Sequence, residues 1–166
     1  MIDKFLDYYY FLSNFYPHPI IYKGEKFKTS EHAYQAYKTL DPAEREYIKN
    51  LDTPGKAKRA GNENITVRKD WEDIKYDLML DIVRAKFKDD VLAKLLIETG
   101  NQILIEGNWW HDNTWGDCTC KDCENKEGKN WLGKILMQVR EEIKKDKERY
   151  NIFKFENWRT YNNINQ

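Results

Sequence analysis

Residues 70–87 read DWEDIKYDLMLDIVRAKF. Within them, large apolar side chains recur at three- and four-residue spacing, which places them on one face of a helix. Asp70 stands in the capping position before the first of them, where an acidic side chain also suits the helix dipole. The segment therefore predicts a long amphipathic helix, built around Trp71, Ile74, Leu78, Ile82 and Val83.

Helix signals continue on both sides of this segment. A capping side chain is followed by proline at Asp41–Pro42 and again at Thr53–Pro54, which is typical of a helix start. Further helices are predicted from residue 29 or 30 through 38, over 91–97 and over 131–143. Only residues 8–28 are predicted to be extended, with a hairpin turn at Lys23–Gly24. The predicted fold is mainly α and multihelical, with a small N-terminal antiparallel β element.

Composition limits the classes of protein that remain. The 166 residues are 40% hydrophobic and 34% charged, which predicts one globular domain over residues 1–149 and a C-terminal extension over 150–166. The 28 basic and 28 acidic side chains cancel, which argues against a protein that coats nucleic acid non-specifically. No membrane span and no secretion signal are predicted, so we expect a cytoplasmic protein.

Residues 107–133 read GNWWHDNTWGDCTCKDCENKEGKNWLG and hold four of the six tryptophans and all three cysteines. Three of these tryptophans, at positions 109, 110 and 115, flank His111, Asp112 and Asp117 without a helical or strand period. Flat rings beside carboxylates, on a backbone loosened by glycine, suit a pocket for a planar polar ligand. We expect the functional site to involve this loop.

Glu31, Gln35 and Lys38 occupy one face of the helix predicted after Thr29. Such a stripe is most often a solvated surface with a weak ion pair. Alternatively, the face lines a cleft, where a desolvated glutamate could act as acid or base and a lysine with a lowered pKa as nucleophile. The spacing alone leaves both interpretations open.

Charge is segregated locally. Five basic residues against one acid lie between positions 56 and 69, and five acids against two lysines lie between 112 and 127. The basic segment follows a predicted helix start and could hold a phosphate, although scattered lysines on a solvated helix explain it equally well.

The cysteines have C-x-C-x-x-C spacing, at Cys118, Cys120 and Cys123. Structural zinc usually takes four ligands, and only His111 or an aspartate lies near enough in sequence to complete the set. We therefore favour reduced thiols and predict no metal and no cofactor. The remaining histidines have no partner in a hydrolase-like motif, and no glycine-rich phosphate loop is present.

Six blocks of residues, in order along the chain, resemble the motifs of the NADAR (YbiA-like) family. They occur from about residue 11 to residue 143 and comprise Phe11–Phe15; Ser30–His32 with Gln35, Ala36 and Lys38; Ala57–Gly61; Arg68 with Asp70–Trp71; Arg84–Phe87; and Asp112, Trp115–Asp117, Lys129–Asn130, Leu132–Gly133, Leu136–Met137 and Arg140. The cysteine-bearing stretch 118–127 lengthens a loop that is often glycine-rich in this family.

The resemblance implies an N-glycosidase that cleaves a bond between ribose C1 and nitrogen. The substrates it implies are ADP-ribose linked to guanine, as a nucleotide-like molecule or in ADP-ribosylated nucleic acid, and phosphorylated ribosylamine intermediates of riboflavin synthesis. It implies that Glu31 is the principal catalytic carboxylate and Asp112 a second acid. The residues it implies for substrate binding are Asn14, Phe15, Arg68, Trp115, Asp117 and Asn130.

Two mechanisms fit these residues. Glu31 could stay ionised and stabilise a sugar cation while a second carboxyl donates a proton, with Asp112 in support. Alternatively, a neutral Lys38 could attack the anomeric carbon and form a Schiff base. Two non-catalytic alternatives also remain: a module that binds ADP-ribose or nucleic acid, and a small zinc-knuckle interaction protein.

Overall fold

The computed structural model describes residues 1–146 and is mainly helical. The predicted C-terminal extension, 150–166, lies outside the described residues. The helices are α1 (Ser30–Ala36), α2 (Pro42–Asn50), α3 (Pro54–Glu63), α4 (Trp71–Lys86), α5 (Asp90–Glu98) and α6 (Trp131–Lys145). The strands are β1 (Ile20–Tyr22), β2 (Glu25–Phe27), β3 (Gly107–Asn108) and β4 (Asp117–Cys118).

Each predicted helix is present, with bounds close to those expected. Thr29 caps α1, Asp41 caps α2 and Thr53 caps α3, each through its side-chain oxygen. Asp70 occupies the capping position of α4, but its side chain accepts no hydrogen bond from the helix backbone, because the Asp70 carboxylate pairs with Arg68. Helix α1 ends at Ala36, two residues earlier than predicted.

The N-terminal region is only partly as predicted. Strands β1 and β2 form the expected antiparallel hairpin, and Gly24 takes a positive φ in its turn. The expectation of extended backbone at residues 8–11 is wrong, because Asp7–Leu12 is a 3-10 helix. Its burial does not alternate: Phe11 and Leu12 are both buried while Tyr8 is exposed. The short parallel pair β3–β4 was not predicted.

Helix α1 lies at the centre of the molecule, packed against α2, α3 and α4. All seven of its residues are buried. Gly61 of α3 is needed for this packing, because a Cβ at that position would collide with the side chain of Gln35. Helix α4 packs in turn against α6, which also contacts α5. The polar stripe of α1 is therefore held inside the protein.

Candidate active site

A cavity of about 580 Å³ lies over the polar face of α1. Its wall combines three regions that are distant in sequence: the N-terminal segment, helices α1 and α3, and the aromatic loop. The predicted site residues that line it are Asn14, Phe15, Glu31, Lys38, Asp112 and Trp115. Folding thus joins the buried stripe to the tryptophan-rich loop, and the solvated-surface interpretation of that stripe is excluded.

Glu31 is 7% exposed and lies at the start of α1. Its Oε1 accepts a hydrogen bond of 2.6 Å from Gln35 Nε2, one helical turn away. Burial raises the pKa of this carboxyl, while the Gln35 hydrogen bond acts in the opposite direction. The nearby charges of Lys58 and Lys38 also favour its ionised form.

Lys38 follows α1 and is almost fully buried. Its Nζ donates to Asn62 Oδ1 at 2.9 Å and lies over the rings of Tyr34 and Trp71, at 5.7 and 5.8 Å from their centroids. Burial lowers the pKa of Lys38, and the charge of Glu31 partly opposes this. A lysine in this setting is closer to the neutral, nucleophilic amine than an exposed one.

Glu106 is a cavity residue that the sequence reasoning missed. It directly precedes β3, and burial raises its pKa from 4.5 to about 8. The charges of Asp112 and Glu31 act in the same direction. This carboxyl is therefore protonated at neutral pH. A lone acid between an apolar run and the aromatic loop, in LIEGNWW, was the available signal.

Asp112 is fixed by the loop that carries it. Its Oδ1 accepts from the backbone N–H groups of Thr114 and Trp115, at 3.0 and 2.8 Å. The side chain of Asn108 braces the same turn, donating to the Asp112 carbonyl at 2.7 Å and accepting from the Asp112 N–H at 3.2 Å. These two hydrogen bonds hold the backbone of Thr114 and Trp115 against the carboxylate and so fix the position of Trp115.

Trp115 belongs to a cluster of rings that forms one side of the cavity. It meets Tyr34 and Trp131 edge-to-face, at centroid distances of 5.3 and 5.5 Å. On another part of the wall, Lys58 Nζ lies 5.8 Å from the Phe15 ring and 5.9 Å from the Trp110 ring. The cavity thus offers both aromatic surface and positive charge.

Two residues of the lining carry an amide oxygen without a hydrogen-bond partner in the described part of the chain. Asn14 Oδ1 and Gln35 Oε1 are buried, and the structure shows no hydrogen-bond partner for either within residues 1–146. Buried polar atoms are normally satisfied, so these two are exceptions in this part of the protein. Gln35 Oε1 lies against Gly61 of α3.

Three of the predicted binding residues lie away from the cavity wall. Arg68 makes a bidentate pair with Asp70, and Asp117 accepts from the Gly128 N–H at 2.9 Å. Asn130 accepts from the Glu106 N–H and donates to the Leu104 carbonyl. The side chains of these three residues stabilise local structure, and the hydrogen bond to Asn130 holds the backbone of Glu106.

His32 also has a structural role. It is fully buried, with Nδ1 2.8 Å from Thr29 Oγ1 and Nε2 3.0 Å from the Leu51 carbonyl. A carbonyl can only accept, so Nε2 carries the proton and Nδ1 accepts from the hydroxyl. The ring ties α1 to the end of α2.

The basic segment is divided by the fold. Lys58 and Gly55, near the N-terminus of α3, line the cavity. Lys56 instead pairs with Asp52 at the surface.

None of the helices described within residues 1–146 is long and apolar enough to cross a membrane.

The chain is similar to known proteins over most of its length. The NADAR domain model matches residues 3–144. The chain is 39% identical over 137 residues to the N-glycosidase YbiA of Shigella flexneri, covering 81% of this chain and 82% of that protein. It is 38% identical to a riboflavin biosynthesis protein of Vibrio vulnificus, over 87% of this chain and 38% of that protein. The NMR structure of Escherichia coli YbiA superposes with a TM-score of 0.74 at 35% identity, covering 89% of each chain. The chain belongs to the NADAR domain family.

Proposed function

We propose that this N-glycosidase hydrolyses a ribose C1–nitrogen bond in a nucleotide-like substrate. The candidate substrates are ADP-ribose linked to guanine and a phosphorylated ribosylamine intermediate of riboflavin synthesis. The names of its relatives support the reaction class and, for one of them, the connection with riboflavin synthesis. The observation that carries the proposal is the meeting of Glu31, Glu106 and Lys38 in one cavity.

Cleavage of this bond needs a proton on the leaving nitrogen and stabilisation of positive charge at C1. Glu106, protonated at neutral pH, is placed to donate that proton. Burial raises the pKa of Glu31 as well, but the Gln35 donor and two lysines favour its anion, and we assign it the opposite role. For one carboxyl to act as acid and the other as base, their surroundings must favour different protonation states.

The lowered pKa of Lys38 favours the covalent route over direct attack by water. In that route the neutral amine bonds to C1, the C–N bond to the base breaks, and Glu106 protonates the departing nitrogen. Glu31 accepts the proton that Lys38 loses. Ring opening gives a Schiff base, and water then releases the sugar and restores the lysine.

The rest of the cavity suits a phosphorylated sugar and a flat base. Lys58 and the backbone at Gly55, in the first turn of α3, favour a phosphate. Trp115 offers a ring face or edge to the base, and such contacts contribute about 1–3 kcal/mol.

The test is incubation with two substrates in parallel: a DNA oligonucleotide ADP-ribosylated on guanine, and a ribosylaminopyrimidine 5′-phosphate. Mass spectrometry should show the free base or restored guanine accumulating with time. Glu31→Gln should lower turnover by about 100-fold or more while leaving binding largely intact, because the amide keeps the shape and loses the charge. Glu63→Gln, an exposed glutamate at the end of α3, is the matched control.

Binding of either substrate without release of any product would instead support the non-catalytic module. Normal turnover by the Glu31→Gln protein would remove this carboxylate from the reaction.

A further inference from the structure

Four potential metal ligands converge beside the cavity, although they are spread over thirteen residues of sequence. The Nδ1 atom of His111 and the Sγ atoms of Cys118, Cys120 and Cys123 all lie within 4.8 Å of one another. His111 Nδ1 is 3.2 Å from Cys120 Sγ and 3.5 Å from Cys123 Sγ. None of the four residues lines the active-site cavity.

The two distances from His111 Nδ1, 3.2 and 3.5 Å, are close to an edge of a zinc tetrahedron. With Zn–S bonds of about 2.3 Å and Zn–N bonds of about 2.1 Å, neighbouring sulfur and nitrogen ligands lie about 3.6 Å apart. Three thiols and one imidazole form a set that structural zinc sites use, and soft sulfur donors in a tetrahedron select zinc over magnesium or calcium.

The backbone brings the ligands together from different directions. Cys118 ends β4, Cys120 precedes a 3-10 helix over Lys121–Cys123, and Cys123 ends that helix. His111 faces them from the other side of the loop and has a positive φ of 67°, an uncommon conformation for histidine. Cys118 and Cys123 are buried. The loop therefore folds around the point where the four side chains meet.

We propose that His111, Cys118, Cys120 and Cys123 bind one structural Zn²⁺. The ion joins the two ends of the segment 111–118, which contains Asp112 and Trp115. It thereby fixes the position of an active-site carboxylate and ring without touching substrate. The sequence favoured free thiols because it did not show that His111 folds back onto the cysteines.

The first test is the metal content of the full chain purified under reducing conditions without a metal-affinity tag. Elemental analysis should find about one zinc per chain. After removal of zinc, addition of Co²⁺ should produce the visible absorption of a tetrahedral cobalt–thiolate centre. A zinc-free protein that also gives no such spectrum with added cobalt would overturn the proposal.

Variants identify the ligands. Cys120→Ser and His111→Ala should each weaken zinc retention against a chelator by more than about tenfold, because loss of an outer-shell residue alone costs about 10- to 100-fold. Both ligands are incompletely buried, so neither change opens a cavity in the core. His18→Ala is the control, since His18 is not one of the four clustered ligands and lies 3.8 Å from Asp89 instead.

Thiol reactivity gives a readout that is independent of enzymatic activity. Zinc should slow alkylation of the cysteines, and the chelator should restore it. Alkylation at equal rates with and without zinc would refute the proposal, as would a disulfide between two of the cysteines in the protein as isolated. Equal zinc retention by the His111→Ala protein would show that the imidazole is not a ligand.

Discussion

Replacement of Glu106 by glutamine should stabilise the protein while abolishing its proton donor. The pKa of this carboxyl is about 8 in the folded protein, compared with an ordinary value of 4.5. Between these two values the native state keeps a proton that the unfolded chain releases. The free energy of unfolding therefore falls as pH rises from about 5 to 8, and an amide removes this loss.

The size of the effect follows from the two pKa values. Each unit of difference corresponds to about 1.4 kcal/mol, so at pH 7 the ionisation of the unfolded chain costs the native state at most about 3.4 kcal/mol. Because Glu106 is partly exposed to the cavity, we expect about half of this. Glu106→Gln should then gain about 1.5–2 kcal/mol at pH 7, or about 5 °C in Tm.

Urea unfolding of the wild type and of Glu106→Gln at pH 5, 7 and 8.5 measures this directly. The difference in unfolding free energy should be small at pH 5 and increase toward pH 8.5, while turnover falls at every pH. Glu63→Gln, exposed at the surface, should show neither effect. A constant difference between pH 5 and 8.5 would show that Glu106 ionises normally and is not the acid.

Three further outcomes are expected. Borohydride added during turnover should trap a sugar adduct on Lys38, and Lys38→Met should give none; an active wild-type preparation without an adduct would favour the two-carboxylate route. Trp115→Ala should raise KM about tenfold, and Trp115→Phe should restore part of it, because the contacts with Tyr34 and Trp131 depend on a ring. Lys58→Met should raise KM for the ribosylaminopyrimidine 5′-phosphate but not for its dephosphorylated form; an equal rise for both would place the phosphate elsewhere.

The helices could be predicted from sequence because their signals are local. Capping residues with a following proline mark α2 and α3, and apolar periodicity marks α4. The strands β3 and β4 have only two residues each and are defined by pairing across the loop. No local pattern could reveal them. The prediction of extended backbone before Leu12 was wrong for a similar reason. Aromatic residues favour strands, but here they pack in a 3-10 helix.

The site shows the same limit. Glu31 and Lys38 were identified as a pair on one helix face, but their spacing did not show whether that face meets water or protein. The answer depends on α2, α3 and α4, which enclose α1 on several sides. Glu106 escaped notice because nothing in its neighbourhood shows that Asn130, 24 residues later, supports its backbone. Likewise, the pairing of Arg68 with Asp70 became apparent only in the fold.

The central helix also shows why these residues are functional rather than structural. A seven-residue helix that is buried all round would be most stable with apolar side chains, yet α1 carries Glu31, Gln35 and His32 inside the protein. His32 is fully hydrogen-bonded and ties two helices together, so packing explains it. Glu31 and Gln35 line the cavity and bond to each other, and the Gln35 Oε1 atom is buried without a partner among residues 1–146. Stability alone does not favour that arrangement, whereas binding of a polar substrate requires it. The same reasoning predicts that variants which remove a buried ionisable group from the cavity gain stability as they lose activity, and Glu106→Gln is the most direct case.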